Sequence, residues 1–153
     1  MGRIEFDDLQ WATRRYQATA AYGQSKLADL LMSRHLAVIA KERGWPLLST
    51  AAHPGYTRTN LQTSGRSLGR DRPRTSAGMF RLVPSQDATT GTEPLLYAAA
   101  DPRAVQGEYY GPRWLLVGPT SIARPPRGAR DPQLAASLWS IAEKLTGTSL
   151  PNG

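Results

Sequence analysis

Apolar residues recur at helical spacing along residues 19–43, a stretch that contains no proline and a single glycine. Spacings of three and four residues place such side chains on one face of a helix, so this pattern predicts an amphipathic helix. Gly44 follows as a natural stop, because glycine readily adopts the left-handed conformation in which many helices end. The apolar stripe consists of Leu27, Leu30, Leu31, Leu36 and Ile39.

A short apolar run follows this helix at residues 46–53 and is closed by Pro54 and Gly55. A run of this length between turn residues predicts a buried strand, and a helix followed by a strand is typical of α/β folds. The later sequence predicts two more β segments, at residues 108–111 and 114–117. It also predicts irregular connections at residues 60–85 and 118–132.

Two further helices are predicted. The first begins at Ser85 or Gln86 and ends at Ala100, and Pro94 within it predicts a kink or a later start. The second covers about residues 132–146, where an Asp-Pro pair precedes an amphipathic pattern and a glycine follows it. Together these elements predict a single α/β domain over residues 1–153, with three main helices and about two strands if the two later β segments form one β region.

The composition excludes several classes of site. There is no cysteine, so neither a disulfide framework nor a thiolate metal site can form. His35 and His53 are the only histidines, which makes a histidine zinc site improbable, and no metal is expected. No apolar run approaches the roughly 18 residues of a membrane span, and the acidic start is unlike a signal peptide. We therefore expect a soluble, cytoplasmic protein.

The net charge of +7 raises the question of nucleic-acid binding. Six of the sixteen arginines fall between residues 58 and 81, but this segment is rich in serine, glycine and proline, with only Tyr56 and Phe80 as nearby aromatics. A nucleic-acid surface would interleave basic and aromatic side chains more densely. The pattern favours a solvated loop or substrate lid over residues 60–85, and we expect no nucleic-acid partner.

Tyr22 and Lys26 stand four residues apart in the first predicted helix. This spacing places both side chains on one face, one turn apart. An ammonium near a phenol favours the ionised phenol, which can then exchange a proton with a reacting oxygen. A Tyr-x-x-x-Lys pair alone is weak evidence, because a chain of this composition contains one by chance in roughly one case in eight. Its context is more specific, because a strand and a Pro-Gly-x-x-x-Thr turn follow in order.

Several segments together resemble the retinol-dehydrogenase type of the short-chain dehydrogenase/reductase superfamily. The similarity covers most of residues 3–147 and is weakest at 62–84. The segments that carry it are Asp7-Asp8-Leu9, Ala21-Tyr22-Gly23-Gln24-Ser25-Lys26-Leu27-Ala28, His53-Pro54-Gly55, Gly107-Glu108-Tyr109-Tyr110-Gly111-Pro112 and Asp131-Pro132 with Leu138-Trp139 and Leu145-Thr146-Gly147. The resemblance implies the C-terminal part of a Rossmann-type, doubly wound parallel sheet, without the N-terminal nucleotide-binding half.

The resemblance also implies roles for particular residues, and NAD or NADP as the cofactor. Tyr22 would be the general acid/base, and Lys26 would stabilise its phenolate and hydrogen-bond the nicotinamide ribose. Ser25 next to Lys26 is more consistent with a structural role. Because both side chains would lie against the cofactor, Tyr22 and Lys26 count as catalytic and as cofactor-binding residues.

The turn after the predicted strand would meet the nicotinamide carboxamide. Pro54 and Gly55 would shape this turn, while the backbone at Thr57 and the side chain of Thr59 would contact the carboxamide. His53, just before the turn, has no second ligand nearby in the sequence, so we interpret it as structural. Tyr109 and Tyr110 are interpreted as wall or core residues, and Trp139 as a packing residue.

The family's cofactor site needs a glycine-rich turn that holds the pyrophosphate, and residues 1–30 contain no such pattern. The family's catalytic serine would fall upstream of Met1. We therefore expect an NAD(P)-dependent oxidoreductase of small apolar alcohols, aldehydes or ketones that is inactive as this isolated chain. The alternative is a catalytically dead remnant or an interaction module. The intact Tyr22, Lys26 and Thr59 favour the oxidoreductase, with a complementing N-terminal half or a homodimer as its expected partner.

Overall fold

A computed structural model describes residues 2–58 and 83–151. Within these residues the chain forms an α/β fold of three α-helices and three short strands. The helices are α1 (Ala18–Glu42), α2 (Ala88–Ala100) and α3 (Pro132–Thr146). The strands are β1 (Ala51–Ala52), β2 (Tyr109–Pro112) and β3 (Thr120–Ile122), and single turns of 3-10 helix occur at Phe6–Asp8 and Arg127–Arg130.

Helix α1 confirms the first predicted helix to within one residue at each end. Three residues of its apolar stripe, Leu27, Leu30 and Leu31, are buried as the spacing requires, and Leu31 is fully enclosed, with 0% of its surface exposed. Leu36 and Ile39, which the pattern placed in the stripe, are only partly buried, whereas Ala37 and Ala40 are buried instead. The small Ala37 side chain lies close to Gly107, where an added β-carbon would be 3.4 Å from the Ala37 β-carbon.

The strands form one mixed sheet in the order β1–β2–β3. The amide of Ala51 donates to the carbonyl of Glu108 at 3.0 Å, and the amide of His53 donates to the carbonyl of Tyr110 at 2.9 Å. Because the residue numbers increase together along both strands, β1 and β2 are parallel. Strands β2 and β3 are antiparallel, with Tyr110 opposite Ile122. The expected α/β class is confirmed, although the sheet is not wholly parallel.

The chain divides into two compact units. The first comprises Met1–Ala51, Pro102–Tyr109 and Arg124–Gly153. Its core lies between α1, α3 and the turn at Arg127–Arg130, and consists of Ile4, Leu27, Leu30, Leu31, Ala129, Ala135 and Leu138. Trp139 packs beside His35, with 5.4 Å between ring centroids, so its predicted packing role is confirmed.

The second unit comprises Ala52–Asp101 and Tyr110–Ala123. Helix α2 packs against β3, and the rings of Tyr97 and Tyr110 lie 4.9 Å apart. Tyr110 is buried, which confirms its interpretation as a core residue. Most of the predicted loop at 60–85 lies outside the described residues.

The predicted buried strand at 46–53 is wrong in its first half. Leu47 and Leu48 are exposed, and the amide of Leu47 turns back to the carbonyl of Trp45 at 2.7 Å. The side-chain amide of Gln106 donates to the Leu47 carbonyl at 2.9 Å, in place of the backbone amide of a neighbouring strand. Regular pairing therefore begins only at Ala51.

Two other boundaries differ from the prediction. Residues 114–117 form a turn instead of a strand, because Leu115 has a left-handed backbone with φ of 69°. The third strand lies at Thr120–Ile122, within the predicted surface connection. Helix α2 begins after Asp87, whose carboxylate accepts the amide hydrogen of Thr90 at 2.8 Å. The helix continues through Pro94, so a start delayed to this proline is also wrong.

Candidate functional site

Tyr22 and Lys26 lie one turn apart near the beginning of α1, in the first unit. The Tyr22 side chain is 54% exposed, so its hydroxyl is accessible from solution although the helix is anchored on its other face. Ser25 donates its hydroxyl hydrogen to the carbonyl of Tyr22 at 2.9 Å. This bond is local to the helix, as expected for a structural serine.

Lys26 is held by Asp29, a contact that the sequence analysis did not single out. The ammonium donates to the Asp29 carboxylate at 2.7 Å, and this hydrogen bond raises the pKa of Lys26. Partial burial of the ammonium opposes the rise, while its charge interactions with Asp29 and Tyr22 add to it. Both side chains are more than half exposed, so the pair is weak and easily exchanged for another partner. The sequence signal for this contact was the acidic residue three positions after Lys26, since that spacing places both side chains on one face of a helix.

Gln24, between the two candidate catalytic residues in sequence, is buried and anchors the segment before α1. Its side-chain amide donates to the carbonyl of Leu9 at 3.1 Å. Its carbonyl oxygen accepts from the guanidinium of Arg14 at 2.8 Å and from the amide of Glu5 at 3.4 Å. Gln24 therefore fixes the lead-in chain against the helix turn that carries Tyr22 and Lys26. Sequence reasoning missed it, although a glutamine next to an apolar stripe was a usable signal.

Asp8 organises the same lead-in segment. Its carboxylate accepts the amide hydrogens of Ala12 at 2.6 Å and Arg14 at 3.0 Å, and Thr13 adds longer contacts. The amide of Arg14 makes the largest contribution to lowering the pKa of Asp8, and desolvation of the carboxylate opposes it. The Arg14 guanidinium also lies 3.6 Å from the centre of the Trp11 ring. The segment before α1 is thus tied together by one carboxylate and one guanidinium.

Pro54, Gly55 and Thr57 lie together in the second unit, in the turn after β1. Gly55 has φ of 64°, and a β-carbon at this position would collide with the carbonyl of Leu116 and the ring of Pro112. Both the conformation and the lack of space therefore require glycine here. The hydroxyl of Thr57 donates to the carbonyl of Pro54 at 2.8 Å, which closes the turn.

Gln86 holds this turn from the side and was also missed by the sequence analysis. Only 8% of its surface is exposed. Its side-chain amide donates to the carbonyl of Pro54 at 2.9 Å, and its side-chain oxygen accepts the amide hydrogen of Gly118 at 3.2 Å. Its backbone pairs with Tyr56 and Arg58, both at 3.0 Å. No sequence pattern marked this residue, because its partners are distant along the chain.

His53 is half-buried at the end of β1, packed against Gly111. Burial lowers the pKa of His53, because it disfavours the charged imidazolium. Its Nδ1 accepts the amide hydrogen of Gly55 at 3.2 Å, which also requires the neutral ring. These contacts stabilise the turn and are consistent with the structural role predicted for this residue.

The structure brings the predicted residues together in two separate groups. Tyr22 and Lys26 form one, in the first unit, and Pro54, Gly55 and Thr57 form the other, in the second unit. Thr59 lies outside the described residues. The catalytic and cofactor-binding roles of all six residues therefore stay predictions.

Neither a membrane helix nor a metal cluster is found in the part of the chain that the structure describes. Across residues 2–58 and 83–151, no helix combines the length and hydropathy that crossing a bilayer requires. Over the same residues, no three histidine or carboxylate side chains are grouped so that they could hold a metal ion.

Comparison with known proteins identifies relatives along nearly the whole chain. The chain is 33% identical to human retinol dehydrogenase 13 over 99% of its own length and 44% of the relative's. It is 34% identical to mouse polyprenol dehydrogenase over 96% of its length and 41% of the relative's. A crystal structure of an uncharacterised protein from Mycobacterium paratuberculosis superposes with a TM-score of 0.76 and 36% identity, over 99% of this chain and 47% of that one. No protein-family model matches the chain.

The chain is similar along nearly its whole length to members of the short-chain dehydrogenase/reductase superfamily, among them retinol dehydrogenases. The resemblance inferred from the sequence is thereby confirmed. The chain spans somewhat less than half the length of the relatives described above. The two curated relatives described above are named as dehydrogenases, which are oxidoreductases.

Proposed function

We propose that this chain supplies the acid/base half of an NAD(P)-dependent oxidoreductase that interconverts an alcohol and a carbonyl compound. The observation that carries the proposal is the Tyr22–Lys26 pair on α1, with an accessible phenol and an ammonium one turn away. The names of the relatives support the same class of reaction. NAD and NADP are equally compatible with these residues.

The proton chemistry follows from the two side chains. A nicotinamide cofactor would supply the hydride that reduces the carbonyl carbon. The Tyr22 hydroxyl would give its proton to the carbonyl oxygen and become a phenolate. In the reverse direction the Tyr22 phenolate takes the proton of the alcohol. Lys26 stabilises the phenolate by its positive charge and keeps its own proton throughout.

The exposed donors also fit the nicotinamide riboside. Lys26 can exchange its weak contact with Asp29 for the ribose hydroxyls, since both groups are largely in solvent. As the resemblance implies, the backbone at Thr57 in the second unit would contact the carboxamide. A side chain at Thr59 would complete this contact.

A complementing N-terminal half is the proposed partner. Apolar side chains are exposed in each unit, at Leu47 and Leu48 in the first and at Leu95 and Leu96 in the second. Apolar surface of this kind marks an interface or a packing face. The same surface is compatible with the alternative of a catalytically dead interaction module. Homodimerisation and a cytoplasmic location stay predictions.

A chimera separates these alternatives. The segment of human retinol dehydrogenase 13 that this chain matches is replaced by the chain, and oxidation of apolar alcohols is followed with NAD and with NADP. We expect turnover by the chimera and none by the isolated chain, since the chain contains no glycine-rich turn in residues 1–30. A folded chimera without turnover would favour the dead-module alternative, and turnover by the isolated chain would refute the expected inactivity.

A further inference from the structure

Three consecutive large apolar residues occupy the loop between β2 and β3. Trp114 and Leu115 are each 68% exposed, and Leu116 is 36% exposed. Single exposed leucines are ordinary in soluble proteins, but contiguous exposed apolar side chains mark binding surfaces. We call Trp114, Leu115 and Leu116 the apolar loop.

The apolar loop lies beside the turn proposed to meet the nicotinamide. The amide of His53 donates to the carbonyl of Tyr110 at 2.9 Å, which pairs the strand ends, and the amide of Tyr56 donates to the carbonyl of Leu116 at 2.7 Å. Because β1 and β2 are parallel, their carboxyl ends meet at one edge of the sheet. Ligands of α/β proteins bind outside that edge.

Backbone hydrogen bonds and a left-handed residue shape the apolar loop. Leu115 has φ of 69°, a left-handed conformation that leucine seldom adopts. The amides of Trp114 and Leu116 donate within the loop, to Val117 at 3.2 Å and to Trp114 at 2.8 Å. Strained residues of this kind are found preferentially where a ligand is clamped.

Gly118 and Gln86 fix the base of the apolar loop. Gly118 has φ of 108°, and a β-carbon there would lie 2.6 Å from a ring carbon of Trp114, so the indole packs closely on this glycine. Gln86 accepts the Gly118 amide hydrogen and donates to Pro54. One buried side chain thus joins the base of the apolar loop to the turn at Pro54 and Gly55.

From these contacts we infer that Trp114, Leu115 and Leu116 recognise the apolar carbon skeleton of the substrate, an inference that rests on the proposed oxidoreductase function. An anionic membrane surface is the less favoured occupant. The Tyr56 amide donates to the Leu116 carbonyl, so the apolar loop adjoins the turn at which the proposed reaction would take place, and this position favours the substrate.

The test uses the chain itself and needs neither cofactor nor turnover. Binding of 1-octanol, with 1-butanol as the short-chain comparison, is followed by NMR at the Trp114 indole and the leucine methyl groups. We expect saturable shifts at the apolar loop, stronger for octanol. W114S and L115N should each weaken octanol binding by about fivefold or more, since each removes a large part of the apolar contact.

The matched control is L145N, which replaces an exposed leucine in the last turn of α3. It should bind octanol like the unmodified chain. L115N should fold normally, because asparagine tolerates a positive φ better than leucine. The inference is overturned if octanol shifts other residues instead, if all variants bind equally, or if the loop shifts only with anionic vesicles. A chimera without turnover would refute the proposed function while leaving these shifts unchanged.

Discussion

The Gln86 side chain bonds to backbone on both sides of the turn after β1, and Gln86→Met tests its contribution. Methionine preserves the length of the side chain but can neither donate to Pro54 nor accept from Gly118. The Pro54 carbonyl keeps the Thr57 hydroxyl as a partner, whereas the Gly118 amide loses the side-chain oxygen that accepts its hydrogen. A lost hydrogen bond together with a buried, unsatisfied donor costs about 2 to 4 kcal/mol.

Two measurements check this value. The urea-unfolding free energy should fall by about 2 to 4 kcal/mol, and exchange of the Gly118 amide hydrogen should accelerate by about 30-fold or more. Gln133→Met is the matched control, because Gln133 is exposed in the first turn of α3. If Gln86→Met changes stability by less than about 0.5 kcal/mol and leaves Gly118 equally protected, Gln86 does not hold the turn.

Three further predictions concern stability. Leu31→Ala should lower the unfolding free energy by about 2 to 5 kcal/mol in a urea titration, because Leu31 is fully enclosed in the core of the first unit; a loss below about 1 kcal/mol would contradict this packing. Asp131→Ala should cost about 1 kcal/mol by the same assay and reduce the helical signal, since its carboxylate caps α3 at two amides; an unchanged helix would show that the cap is dispensable. Burial lowers the pKa of His53 from 6.5, so the unfolded chain binds more protons than the folded chain, and the unfolding free energy should fall as the pH drops below 6.5. This pH-dependent loss of stability should be absent from His53→Gln. A loss of the same size in that variant would show that another group causes it.

Helix α1 could be predicted closely because local signals agree along its whole length. The apolar spacing and Gly44 both belong to the segment itself, so no distant residue is needed to place the helix. Tyr22 and Lys26 were identifiable for the same reason. Their spacing is a property of one helix, and the structure retains it.

The errors fall where distant contacts decide the local structure. Leu47 and Leu48 resemble the start of a buried strand, but the Gln106 side chain takes the Leu47 carbonyl and leaves both side chains exposed. Strand β3 exists because it pairs with β2, and its proline-rich surroundings concealed it. Gln86 gave no local signal, since its partners lie 32 residues away on either side.

The most direct test of the central claim is the effect of Tyr22→Phe on kcat/KM in the retinol dehydrogenase 13 chimera. Phenylalanine preserves the ring but has no proton to exchange, so we expect a loss of at least about 100-fold. Tyr16→Phe, which alters another exposed tyrosine, should stay within about twofold of the unmodified chimera. If Tyr22→Phe retains full activity, Tyr22 is not the acid/base and the account of this site is wrong.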